Sequence, residues 1–182
     1  MALLHYPVIN KSGEVITSAV TNLDLHDIAR VSKTYGVPVF YVITPLLDQQ
    51  ELVKKIISHW TIGHGSIYNP KRREALELIS VKDSIEEAIC DIQSRNQGII
   101  PKIIVSCAKD SGRQNLTYRN FKEMIKDENP YFLLFGTAWG ISQDFILKAD
   151  YILEPIKGIT EYNHLSVRSA AGIILDRLIG NY

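Results

Sequence analysis

Six short apolar runs punctuate the chain, at Ala2 to Tyr6, Val39 to Ile43, Ile79 to Val81, Ile103 to Val105, Tyr131 to Phe135 and Tyr151 to Leu153. Amphipathic stretches separate them, too long to be hairpin turns. Strands joined by such crossovers pair in parallel, because a tight turn can only bring neighbours together antiparallel. The alternation therefore predicts an α/β fold, a mostly parallel sheet with helices on both faces.

The connecting stretches carry their own signals. Leu25, Ile28, Ala29 and Ser32 recur at helical spacing, so a helix spans roughly Leu23 to Tyr35, capped by Thr21 or Asn22 and stopped by Gly36 and Pro38. A second helix covers Asp48 to Trp60 with Leu52, Ile56 and Ile57 on its buried face. Ser84 and Glu87 form a capping box that opens a helix to about Gln97, ended by Gly98. Further helices are expected near Tyr118 to Lys126, after Ser142, and from about Leu165 to Ile179. Asn10, Ser12 and Gly13 mark a loop, and Gly63, Gly65, Asn69 and Pro70 mark Thr61 to Lys71 as another, exposed one.

A chain of 182 residues suits one well-buried domain, read here as residues 1–182. Twenty basic residues balance twenty acidic ones, so an RNA partner must be held by a local patch rather than by the whole surface. Lys71, Arg72 and Arg73, with Lys109, Arg113, Arg119 and Lys122, are the candidates for that patch, and Trp60 and Tyr68 could stack on bases. Ordinary solvated charges are the alternative. Cys90 and Cys107 lie too far apart for a zinc motif and read as reduced thiols. No apolar run approaches the roughly twenty residues of a membrane helix, and Met1 to Val8 is too short and broken for a signal peptide, so a cytoplasmic location is expected.

Several chemistries are excluded by missing motifs. The chain has no P-loop, no Gly-x-Gly-x-x-Gly after a strand and no Gly-x-Ser-x-Gly elbow. His5, His26, His59, His64 and His164 are scattered without the spacing that sets two ligands on one helix face, so no metal site is expected.

The last third is richest. Leu133-Leu134-Phe135-Gly136-Thr137-Ala138-Trp139-Gly140 and Ile152-Leu153-Glu154-Pro155-Ile156-Lys157-Gly158 are two strands each running into a glycine-bearing loop. The second is followed by Tyr162-Asn163-His164-Leu165-Ser166-Val167-Arg168-Ser169-Ala170-Ala171-Gly172-Ile173. Glycine lets a ligand approach the main chain, so such loops can bind a polar ring system largely through backbone groups. A tight turn with Trp139 tucked into the core is the plainer reading of the first loop. In order and spacing these segments, together with Asn22 to Arg30 and the closing Gly36, resemble the SPOUT methyltransferases, the SpoU and TrmD enzymes.

That resemblance implies an S-adenosylmethionine-dependent RNA methyltransferase, acting on tRNA or rRNA, homodimeric, with a C-terminal trefoil knot. The knot would pass about Pro155 to Tyr162 through an earlier loop. Pattern alone predicts no knot. The resemblance also implies cofactor contacts from Phe135, Gly136, Thr137 and Gly140, from Ile156 and Gly158, and from Asn163, Leu165 and Ser166. Ser106 and Cys107, at the carboxyl end of the Ile103 to Val105 strand, would complete the pocket. Arg30 is the candidate for gripping substrate phosphate, since a guanidinium can do so with two hydrogen bonds. Leu165, Ile173, Ile174 and Leu178 would suit a dimer face or ordinary core.

Two departures bear on chemistry. The acidic residue of the second motif is replaced around Ala138, and Arg168 stands where the third motif has a second serine. Asp24, Asp27 and His26 are all candidate bases. Two alternatives stay open: a non-catalytic S-adenosylmethionine-binding RNA-interaction or regulatory dimer, and an unrelated flavodoxin-like nucleotide-binding α/β protein.

Overall fold

The computed structural model describes residues 1–108 and 115–181. The elements in chain order are β1 (Ala2–Leu4), β2 (Val8–Ile9), β3 (Val15–Ile16), α1 (Asn22–Thr34), β4 (Phe40–Ile43), α2 (Leu47–Thr61), α3 (His64–Tyr68) and α4 (Pro70–Leu76). They continue with β5 (Ile79–Lys82), α5 (Ile85–Arg95), β6 (Lys102–Ser106), α6 (Tyr118–Met124), β7 (Tyr131–Gly136), α7 (Gln143–Ile146), β8 (Tyr151–Leu153) and α8 (Val167–Ile179). All six expected strands are present. They form one sheet in the order β5-β4-β1-β7-β6-β8, every pair parallel.

Period-two alternation sends successive side chains to opposite faces. Leu3, Phe40, Val42, Ile104, Leu133, Phe135 and Leu153 pack with α1, α4, α6 and α8 in one core layer. Ala2, Leu4, Tyr41, Ile43, Val105, Phe132, Leu134 and Ile152 pack with Ile85 and Ala88 of α5 and Ile146 of α7 in the other. Each such fully buried large side chain contributes on the order of 2 kcal/mol. Along the first layer α4 packs on α1, α1 on α8, and α8 on α6.

The caps explain most helix starts. Thr21 Oγ1 accepts from Asp24 N to open α1, and Ser84 Oγ accepts from Glu87 N to open α5. Glu87 reaches back to the amide of Asp83 rather than that of Ser84. Ser166 caps α8, so that helix begins at Val167 and leaves Leu165 in the preceding loop.

The buried face of α2 is centred on Val53, with Leu52 42% exposed rather than buried, and two segments differ from the sequence expectation. Thr61 to Lys71 is not a plain loop but carries α3 and the start of α4. Asn69 Oδ1 accepts from Arg72 N at 3.0 Å and Pro70 opens α4, so the Asn-Pro pair marks a helix start. The loop around Asn10 to Gly13 is the tip of a hairpin, with β2 and β3 antiparallel. Asn10 Oδ1 accepts from the amides of Ser12 and Glu14, and Gly13 turns with φ +85°. Strands of two residues are too short for any periodic signal.

Candidate active site

In the sheet β7, β6 and β8 are neighbours, so the loops leaving their carboxyl ends gather on one edge of the molecule. Open α/β sheets bind ligands at that end. The sequence candidates from all three loops are thus brought together.

After β7 the chain turns tightly. A Cβ on Gly136 would stand 2.7 Å from Ile141 Cγ1 and 2.8 Å from Ile141 N, so only glycine fits there. Ala138 and Gly140 take φ of 51° and 111°. The turn is bonded to the body of the protein. Thr137 donates to Leu4 O from its amide (3.2 Å) and its hydroxyl (2.9 Å), Trp139 N donates to Ile9 O, and Gly140 O accepts from Ile9 N. Gly140 N donates to Thr137 O across the turn. Phe135 is buried beneath it. Trp139 is not tucked into the core but is 56% exposed.

After β6, Ser106 Oγ donates to Leu134 O and braces two strands. Cys107 is half-buried, and burial raises its thiol pKa, which keeps it protonated rather than nucleophilic. After β8, Glu154 accepts from Tyr118 N at 2.6 Å, and Pro155 is buried. The chain from Lys157 to Ser166 is exposed. Asn163 Nδ2 donates to Ala108 O at 2.8 Å and so ties this loop to the end of β6. Among the described residues, the amides of Ile156 and Gly158 have no hydrogen-bond partner, and a Cβ at Gly158 would meet nothing within 4 Å. Leu165 adds a partly exposed apolar side chain, and Ser166 Oγ is spent on the α8 cap. Unpaired amides beside apolar surface are a donor set suited to the polar edge of a ring system. The amides of Thr137, Trp139 and Gly140, by contrast, are already used internally.

Arg30 stands about 12 Å along α1 from Asn22. It is exposed and lines an open groove with Asp27, Val31, Thr34 and Tyr35, apart from the three loops. Its nearest acid is Asp27, at 4.0 Å. The two candidate carboxylates are engaged, whereas His26 Nδ1 is buried without a hydrogen-bond partner among the described residues. Asp24 accepts from Thr21 Oγ1 at 2.6 Å and from Arg168 Nη1 at 2.9 Å, Asp27 lies 3.5 Å from Arg168 Nε, and His26 packs edge-on to Trp60. Burial, with Arg72 adding to it, lowers the His26 pKa. Arg168, the departure from the serine pattern, therefore clamps the first turn of α8 onto the first turn of α1.

The basic candidates do not form one surface. Lys71 to Arg73 lie on α4 and Arg119 and Lys122 on α6, with α1 and α8 packed between; Lys109 and Arg113 lie outside the described residues. Trp60 is no free stacking platform, since the Arg72 guanidinium covers its ring at 4.6 Å, whereas Tyr68 is 81% exposed. Ile174 and Leu178 are buried within the protomer and leave only Ile173 and Leu165 for a partner. Among the described residues no three His, Cys, Asp or Glu side chains stand together to hold a metal ion, and no helix is long and apolar enough to cross a membrane.

Residues 1–180 match the family of SAM-dependent RNA methyltransferases. The chain belongs to that family. It is 43% identical over 180 residues to a tRNA (guanine-N(1)-)-methyltransferase of Oleidesulfovibrio alaskensis, which covers 99% of this chain and 41% of that one. This methyltransferase-family chain thus spans about two fifths of that relative. A tRNA (cytidine-2'-O-)-methyltransferase, TrmJ of Sulfolobus acidocaldarius, is 26% identical over 155 residues, 85% of this chain and 59% of the other. The two names give different acceptor atoms. The fold is similar to that of the SpoU methyltransferase AviRb of Streptomyces viridochromogenes, solved with AdoMet, with TM-score 0.55, 17% identity, and coverage of 98% of this chain and 56% of that one.

Proposed function

We propose that this chain is a single S-adenosylmethionine-dependent unit that methylates RNA, with tRNA as the substrate class. One observation carries the reading: three loops from adjacent parallel strands converge, and the β8 loop offers unpaired amides at Ile156 and Gly158. When bound, the cofactor supplies a methyl group on a sulfonium sulfur. Methyl transfer gains most from holding acceptor and methyl in line, which is work for rigid loops. The internally bonded turn at Gly136 to Gly140 suits that work. Ile156 and Gly158 would hold the polar edge of the cofactor, Leu165 its apolar face, and Arg30 a backbone phosphate of the RNA. The finer features of the reading are a trefoil knot through Pro155 to Tyr162, a homodimer using Ile173 and Leu165, and a cytoplasmic location. Acceptance at a guanine base or at a ribose hydroxyl fits equally.

The ion pairs of Asp24 and Asp27 favour a second reading, a cofactor-binding RNA-interaction protein without catalysis, because neither carboxylate is free to act as base. Transfer of a tritiated methyl from S-adenosylmethionine to total tRNA decides between them. The proposal expects incorporation that falls at least tenfold in Arg30→Ala while S-adenosylhomocysteine binding is unchanged. Binding without any incorporation supports the second reading.

A further inference from the structure

His5 immediately follows the central strand β1, its side chain is fully buried, and it stands where three segments meet. Its amide donates to Ile43 O at the end of β4, and its carbonyl accepts from Ser18 N in the approach to α1. Its ring faces Ser18, with Nδ1 2.9 Å from Ser18 Oγ. Ser18 Oγ is 2.5 Å from Thr137 Oγ1, and Thr137 Oγ1 is 2.9 Å from Leu4 O.

One assignment of protons satisfies all three contacts. Leu4 O is a carbonyl and can only accept, so the Thr137 hydroxyl proton points to it. Thr137 oxygen then accepts from the Ser18 hydroxyl, and Ser18 oxygen accepts Nδ1–H of a neutral His5. The other ring nitrogen, Nε2, is buried without a partner. A buried polar atom left unpaired carries a free-energy cost. Here the ring fixes the direction of the whole chain, because Nδ1 is a donor only in this tautomer.

We propose that His5 is a positioning residue for the cofactor: through Ser18 and Thr137 it fixes the Gly136 to Gly140 turn and ties it to the approach of α1. The inference rests on the proposed reading of that turn as a rigid wall of the cofactor site beside the β8 loop. The turn needs such a tie, since Ala138 holds a left-handed conformation that a side chain disfavours. Thr137 is the residue whose side chain links the turn to the sheet, and Ser18 lies three residues before the Thr21 cap of α1. Movement of the cofactor turn and of the helix that carries Arg30 is thereby coupled.

The test uses isosteres. Asn places an amide N–H close to where His Nδ1–H stands, so His5→Asn keeps the donor and His5→Leu removes it. Two readouts are taken on the intact chain, both with circular dichroism to establish folding: calorimetric affinity for S-adenosylhomocysteine, and amide hydrogen exchange of Thr137 and Trp139 in the free protein. His5→Leu is expected to weaken binding about tenfold and to speed exchange at both amides by a similar factor. His5→Asn should restore each to within about twofold, and His5→Leu with Thr137→Val should lose no more than either alone. Wild-type exchange in a folded His5→Leu, or fully additive losses, overturns the inference. Should the wild type bind no S-adenosylhomocysteine at all, the functional reading fails, and exchange alone still decides whether His5 holds the turn.

Discussion

Acidification should destabilise this protein through His5 in a way that can be measured by difference. Burial lowers the His5 pKa from 6.5 to about 4, with the nearby Asp24 charge opposing the shift. The unfolded chain takes up the imidazole proton near its ordinary value, while the folded chain resists until it is far more acidic. The contribution is therefore fully present above the unfolded pKa and is lost as pH falls towards the folded one. Between about pH 7 and pH 5 the two titration curves give a loss of about 2 kcal/mol, out of a ceiling of about 3 kcal/mol. The His26 pKa is lowered too, so the wild type carries further loss of the same sign. Comparison with His5→Asn removes that background. Urea unfolding at three pH values across this window should give a stability curve for His5→Asn that is flatter than wild type by about 2 kcal/mol, at unchanged m-value. Parallel curves for the two proteins would refute the reasoning, because a buried neutral imidazole cannot be removed without removing its linkage.

Gly136→Ala should destabilise by about 2 kcal/mol in thermal melts, because its Cβ would meet the Ile141 backbone nitrogen at 2.8 Å and the main chain must shift. Arg168→Met should cost about 2 kcal/mol in urea unfolding, because it leaves Asp24, whose side chain is 11% exposed, without its cation; Asp24→Asn with Arg168→Met should cost less than the sum of the two single changes.

Legibility in the sequence followed the physics of each signal. The six sheet strands were readable because β-branched and aromatic residues occur in short runs bounded by turn residues. Their order was not, because pairing β1 with β7 across most of the chain leaves no local trace. The β2 and β3 hairpin was missed because two-residue strands have no period. At α4, Asn69 and Pro70 have the composition of a loop, yet the same pair serves as N-cap and first helical position. The three converging loops were legible through their glycines and their family pattern. What sequence could not separate was used from unused backbone: Thr137 and Gly140 have spent their amides, while Ile156 and Gly158 have not. His5 looked like one of five scattered imidazoles, since its partners Ser18 and Thr137 lie 13 and 132 positions away in the chain and meet it only through the sheet.

The central claim is that the β8 loop holds the methyl donor, and Gly158 allows the most direct test. Its backbone is outside the left-handed region and its missing side chain would touch nothing, so Gly158→Leu should fold and melt as the wild type does. Calorimetric titration with S-adenosylhomocysteine should then give clear binding to the wild type and a loss of about a hundredfold in Gly158→Leu, whose side chain would fill the space over the unpaired amides. Equal binding by the two proteins, or none by the wild type, would contradict the account.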